Sequence, residues 1–147
     1  HGAGRDYPWM REELLRRGLK LGDNGVEIRE YIYDMPLEMA AADVVISRSG
    51  AATCNEIAAS GTPSILIPSP NVTNNHQERN ARVLSDKDAA VTILEKDCTA
   101  EKVMAEIQSL LADKERRENM SKTLRSMVRL DSTQRICDIV EELAGKR

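Results

Sequence analysis

The stretch Ser47-Arg48-Ser49-Gly50-Ala51-Ala52-Thr53-Cys54-Asn55-Glu56 sets a serine, a glycine and small residues ahead of a single carboxylate. Read as a loop running into a helix, it leaves the N–H groups of Ala51, Ala52 and Thr53 without intrahelical partners. A helix start with free donors and a positive partial charge is a seat for phosphate, and Gly50 lets a ligand approach the backbone closely. The plainer reading of Ser49 and Gly50 is an N-cap and a turn. Glu56 argues for more. Early in a helix an acidic residue gains only ~0.3 to 1 kcal/mol from the macrodipole. A phosphate would compete for the same helix end, so the carboxylate needs another target. A vicinal diol fits, because one carboxylate accepts from both hydroxyls of a ribose.

A second stretch, Ser69 to Asn80, reads SPNVTNNHQERN. Its histidine, amides and hydroxyls offer the mixed donors and acceptors that a sugar's hydroxyl groups require, with His76, Gln77 and Asn80 as the candidates. The plainer reading is the start of a helix capped by Asn74 or Asn75. Neither stretch supplies a metal site, a thiol nucleophile with a base, or a serine triad.

The elements that must hold these stretches follow from the pattern around them. Asp43 to Ser47 (DVVIS) and Ser64 to Ile67 (SILI) are short β-branched runs of the kind found in buried parallel strands. Between them Ala51 to Ser60 is helical, Gly61 supplies a left-handed stop and Pro63 blocks continuation. Gln77 to Leu84 reads as a helix and Ala90 to Leu94 as a further strand. Upstream, Val26 to Ile32 alternates as a half-covered strand after a turn at Gly22-Asp23-Asn24-Gly25. Leu37 to Ala41 forms a short helix with Pro36 at its first turn. From Thr99, an N-cap, the chain turns helical, with Val103, Ile107, Leu110 and Leu111 on one face and Ile136, Ile139, Val140 and Leu143 on another. Asp113 to Glu118 (DKERRE) is a solvated helix face. The alternation of strand and helix predicts an α/β fold: one open, mostly parallel sheet with helices on both faces. In such sheets ligands gather at the carboxyl ends of the strands, where both polar stretches fall.

Composition narrows the partners. The 147 residues suit one domain, and 21 basic against 24 acidic residues leave a formal charge of −3 with no basic run, which argues against nucleic acid. Three singly placed cysteines, Cys54, Cys98 and Cys137, suit a reducing cytoplasm. No apolar run approaches the roughly 20 residues that cross a bilayer, so membrane contact is expected to be peripheral. His1-Gly2-Ala3-Gly4 reads as the loop after a strand, and the chain is expected to be a piece of a longer protein.

Together, Ser47 to Ala58 and Pro68 to Ala81 resemble the donor-binding half of the MurG family, peripheral membrane N-acetylglucosaminyltransferases of peptidoglycan synthesis. Either motif alone is shared more loosely among GT-B glycosyltransferases. The resemblance runs from about Val26 to the C-terminus. It implies a Rossmann-like domain over 1–147, one half of a GT-B enzyme, lacking the family's first strand and glycine-rich loop and its N-terminal acceptor domain. It further implies an inverting, metal-independent transfer from UDP-N-acetylglucosamine to lipid I at the cytoplasmic side of the bacterial membrane, without a cofactor. Position by position, Glu56 falls on the family's ribose-binding glutamate, and Ala51, Ala52 and Thr53 on the residues near the diphosphate. Ile32 falls on the residue whose backbone meets the uracil, with Tyr31 beside the base. His76 and Gln77 fall on the sugar-contacting pair, with Asn80 one turn later; relatives often carry a glutamine pair here. No catalytic residue is implied within this chain. The alternatives are another UDP-sugar transferase, an epimerase of the same architecture, or a non-catalytic subunit that binds a nucleotide sugar.

Overall fold

The computed structural model describes residues 1–19, 22, 25–129 and 131–145. The chain divides into two compact units, His1–Met35 and Pro36–Arg147.

In the larger unit, three short parallel strands, β1 (Val45–Ser47), β2 (Ser64–Leu66) and β3 (Val91–Thr92), lie in the order β1-β2-β3. Val45 pairs with Ser64 and Ile65 with Val91. All three strands are shorter than the apolar runs that predict them. The ladder continues beyond them through Ile67 N–H to Ser47 C=O and Ile93 N–H to Leu66 C=O, each at 2.9 Å. Crossover helices α3 (Ala51–Ser60) and α4 (His76–Ser85) join successive strands, as parallel neighbours require. α3 ends as expected, with Gly61 at φ 69°. A side chain at Gly61 would also strike Arg125, since a Cβ there lies 2.4 Å from its Nε.

The fully buried core sits on β2. Ile65 and Ile93 pack with Leu110 and Met120, and Val103 and Ile107 close around them. Leu66 points to the opposite face and is also fully buried, so β2 is covered on both sides. The helices over the Ile65 face are α5 (Ala100–Ala112) and α6 (Lys114–Met127). The Thr99 hydroxyl caps α5 by accepting from Lys102 N–H, and Asp113 caps α6 by accepting from Arg116 N–H. Of the predicted α5 face, Leu111 departs: it is exposed, because the helix turns its neighbour Leu110 into the core. The predicted apolar stripe of α7 (Ser132–Ala144) forms, but Ile136, Ile139, Val140 and Leu143 all stand exposed.

The smaller unit departs further. The strand predicted over Val26 to Ile32 is reduced to one parallel bridge between Gly2 and Arg29, flanked by bonds from Ala3 N–H to the Arg29 carbonyl and from Gly4 N–H to the Glu30 carbonyl. A helix for which the pattern makes no prediction, α1 (Tyr7–Arg16), follows Gly4. It starts with Pro8 in its first turn, and Glu13 holds both Arg16 and Arg17 on its surface. Of the predicted turn, Gly22 and Gly25 take positive φ, 83° and 73°, while Asp23 and Asn24 lie outside the described residues. α2 (Met35–Ala41) begins the chain's passage into the larger unit, with Pro36 in its first turn as expected.

Candidate functional site

The carboxyl ends of β1 and β2 open into the two polar stretches, and the larger unit brings these together. Gly50 is the N-cap of α3 in an extended conformation, and no side chain caps the helix. The donors of Ala51, Ala52 and Thr53 are therefore left without the side-chain oxygen that usually satisfies one of them. Gly50 is not needed for backbone strain, since its φ is −61°. Its value is space: a Cβ there would meet only Thr53 Oγ1, at 3.8 Å. The helix start is bare and approachable.

Glu56 is exposed on the same helix, three residues after Thr53 and four after Ala52, so all three lie on one face. No hydrogen bond or ion pair holds its carboxylate among the described residues. An uncapped helix start and a free carboxylate about one turn away can together receive an anion and a pair of hydroxyls.

Ser49 lies in the loop, one residue before the N-cap Gly50. It is fully buried, and its hydroxyl donates to the Gln77 backbone carbonyl at 2.8 Å. Asn80 returns the tie, its side-chain amide donating to the Ser49 carbonyl at 3.0 Å. The Gln77 side chain accepts from Ser69 N–H at 2.9 Å through Oε1, and its amide nitrogen remains a donor. Ser49, Gln77 and Asn80 thus lock the first loop to the start of α4. His76, the first residue of α4, is exposed, and its Nδ1 lies 2.9 Å from the Thr73 carbonyl. A carbonyl only accepts, so Nδ1 carries the hydrogen, and in the neutral ring Nε2 is an acceptor. Asn75 occupies the N-cap position, but its amide donates to Glu78 rather than capping. Both Asn74 and Asn75 are left-handed, with φ of 54° and 51°, a conformation that asparagine tolerates better than most residues.

Two groups escape the sequence reading. Arg48 donates from both terminal nitrogens to the Glu95 carboxylate and also to the Ile67 carbonyl. Ser69 supplies the N–H that orients Gln77. Glu95 lies 47 residues from Arg48, and no spacing rule connects them. Ile32 and Tyr31 belong to the smaller unit; Ile32 is half-buried, close to Gly2, and Tyr31 is exposed with its ring edge against Tyr33 at 4.9 Å.

With this geometry in place, comparison with known proteins is decisive. Residues 7–140 match the glycosyltransferase family 28 C-terminal domain. The chain belongs to that family. Its relatives include a protein of Bacillus thuringiensis (strain Al Hakam), 42% identical over 140 residues, named as UDP-N-acetylglucosamine--N-acetylmuramyl-(pentapeptide) pyrophosphoryl-undecaprenol N-acetylglucosamine transferase 2. That match takes in 95% of this chain and 38% of the relative. A transferase of the same name from Desulforamulus reducens is 40% identical over 149 residues, all of this chain and 40% of that protein. The family 28 domain described here thus spans about two fifths of these relatives. Among solved structures, Acinetobacter baumannii MurG superposes with a TM-score of 0.76 over 94% of this chain and 40% of its own, at 24% identity. A glycosyltransferase of kitacinnamycin gives a TM-score of 0.66 over 84% of this chain and 31% of its own, at 25% identity. The expected GT-B type of fold and the MurG-family resemblance are both borne out.

Proposed function

We propose that this domain is the donor half of a transferase that moves N-acetylglucosamine from UDP-N-acetylglucosamine to lipid I, the undecaprenyl-diphosphate-linked N-acetylmuramoyl-pentapeptide. The observation that carries the reading is the pairing of an uncapped α3 N-terminus with the free carboxylate of Glu56 on the same helix face. In this reading the helix start receives the diphosphate and Glu56 accepts from the two ribose hydroxyls. The amide nitrogen of Gln77 and the Nε2 acceptor of His76 meet the sugar. Ile32 and Tyr31 take the uracil, an assignment that rests on the family resemblance carried by 47–58 and 68–81.

The chemistry assigned to this chain is on the leaving-group side. As an acceptor hydroxyl attacks C1 of the sugar, negative charge grows on the departing UDP, and fixed N–H donors at a helix start stabilise that charge without reorganising. The base that deprotonates the acceptor is assigned to a part of the enzyme outside these residues. The intact protein is placed at the cytoplasmic face of the membrane, held peripherally. No helix of the described residues is long and apolar enough to cross a bilayer.

Calorimetric titration of UDP, ADP and UDP-N-acetylglucosamine into the unmodified protein and Glu56→Gln tests the reading. Hydrogen bonds to a charged group contribute about 1.5 to 3 kcal/mol, so the substitution should weaken UDP roughly tenfold to a hundredfold. A 2'-deoxy donor should bind the unmodified protein more weakly and lose little more in the variant. Equal affinity for ADP sinks the uracil assignment. A variant that melts earlier yet keeps its UDP affinity makes Glu56 a structural residue.

A further inference from the structure

Arg48 stands two residues before the N-cap of α3, where a guanidinium would ordinarily be assigned to phosphate. Its fork is committed elsewhere. Both terminal nitrogens donate to the Glu95 carboxylate, Nη2 to Oε1 at 3.2 Å, and Nη1 also donates to the Ile67 carbonyl at 3.2 Å. Arg48 follows β1, Ile67 follows β2, and Glu95 opens the 3-10 turn after β3. One side chain therefore ties together the carboxyl ends of all three strands. The next residue, Ser49, is tied to α4 through the Gln77 and Asn80 bonds. Consecutive residues are anchored to different elements, and the bare helix start comes directly after them.

We infer that Arg48 and Glu95 are positioning residues for the anion seat at the start of α3, an inference that rests on the donor-site reading. The pair sets where Gly50 and the donors of Ala51 to Thr53 point; it does not itself hold the anion. Arg48 and Glu95 keep about half of their side-chain surface in solvent, 52% and 43%, so the pair adds little to global stability. Its worth lies in local geometry, because a donor displaced by a fraction of an ångström loses much of its bond to a phosphate oxygen.

The opposite assignment, Arg48 as a phosphate ligand restrained by Glu95, makes a contrary forecast. There, Glu95→Gln would free the guanidinium and strengthen UDP binding. Titration of UDP and of uridine into the 147-residue chain, Arg48→Gln, Glu95→Gln and the double variant separates the two. We expect each single variant to weaken UDP about threefold to tenfold, with uridine unchanged, and the double variant to be no worse than the weaker single because the partners act as one unit. Tighter or unchanged UDP binding in Glu95→Gln overturns the inference, as do additive losses or equal loss of uridine. A merely structural pair would lower the melting temperature and weaken both ligands alike. Amide exchange at 50–53 in the ligand-free protein gives an independent arm and should quicken in Glu95→Gln. If the unmodified chain does not bind UDP, the donor-site reading falls, and unchanged exchange in the variant would overturn the clasp separately.

Discussion

The two loops at the carboxyl edge solve opposite problems. The loop after β1 is three residues long, and two of them are pinned: Arg48 to the neighbouring strand ends and Ser49, fully buried, to α4. What it leaves open is backbone, the unpaired donors at the start of α3. The loop after β2 runs through Asn75, carries two consecutive left-handed asparagines, and leads into α4, whose first residue, His76, has an exposed side chain. The difference teaches a division of labour. A rigid loop presenting backbone donors suits an anion that every nucleotide diphosphate shares. A longer loop presenting side chains suits the part of a ligand that differs between donors.

The contrast breaks first at Ser49, which joins the two loops. Ser49→Ala removes a buried hydroxyl and its bond to the Gln77 carbonyl, which keeps its partner within α4, at a cost of about 0.5 to 1.5 kcal/mol. Chemical denaturation should show that loss in full. A change below a few tenths of a kcal/mol would mean that water replaces the hydroxyl and that the loops are independent.

Asn74 sharpens the contrast from the other side. If the second loop owes its path to left-handed asparagines, Asn74→Ala should destabilise by about 1 kcal/mol while Asn74→Gly leaves stability nearly unchanged. Equal melting of the two variants would show that the asparagine side chain, and not its backbone, shapes the loop.

Much of this arrangement was legible in sequence, for a physical reason. α3 obeys local rules from start to stop, from the small residues at its beginning to Gly61 at φ 69°, and its predicted bounds, Ala51–Ser60, are those observed. The polar run 69–80 declares itself by composition. Long-range partners do not. Nothing in the spacing links Arg48 to Glu95, and Ser49, whose plainer reading is an N-cap, is buried, with its hydroxyl on the Gln77 carbonyl and its own carbonyl on the Asn80 amide. Over 26–32 alternation, a local signal, does not report pairing, and the structure has a single bridge there, Gly2 to Arg29.

Gln77 is where the two loops should part company in binding. Its amide nitrogen is proposed to read the sugar while its two oxygens serve the loops. Gln77→Ala should weaken UDP-N-acetylglucosamine about threefold to tenfold, in line with one neutral hydrogen bond, and leave UDP almost untouched. Competition binding with the two ligands measures the ratio. Equal losses would mean that the residue only holds Ser69 in place.

The smallest effect expected is that of pH, and it tests whether each loop's carboxylate is held as described. The Arg48 guanidinium keeps the Glu95 carboxyl below the usual glutamate range, and the Asn75 amide, followed by Arg82, does the same for Glu78. A carboxyl depressed in the folded state contributes stability that is present above its unfolded value, about 4.3, and is lost as pH falls through the lower folded value. Between pH 5 and 8 both groups stay charged, so neither loop should respond, and loss should begin only in more acidic solution. Carboxyl-carbon NMR titration gives each midpoint directly. Because both glutamates are at the surface, their effect on overall stability is small, and the midpoints are the informative quantity. A depressed Glu78 beside a Glu95 that titrates at the ordinary value would reverse the comparison. The loop after β1 would then lack its strand-end anchor, and the long loop would be the better fastened of the two.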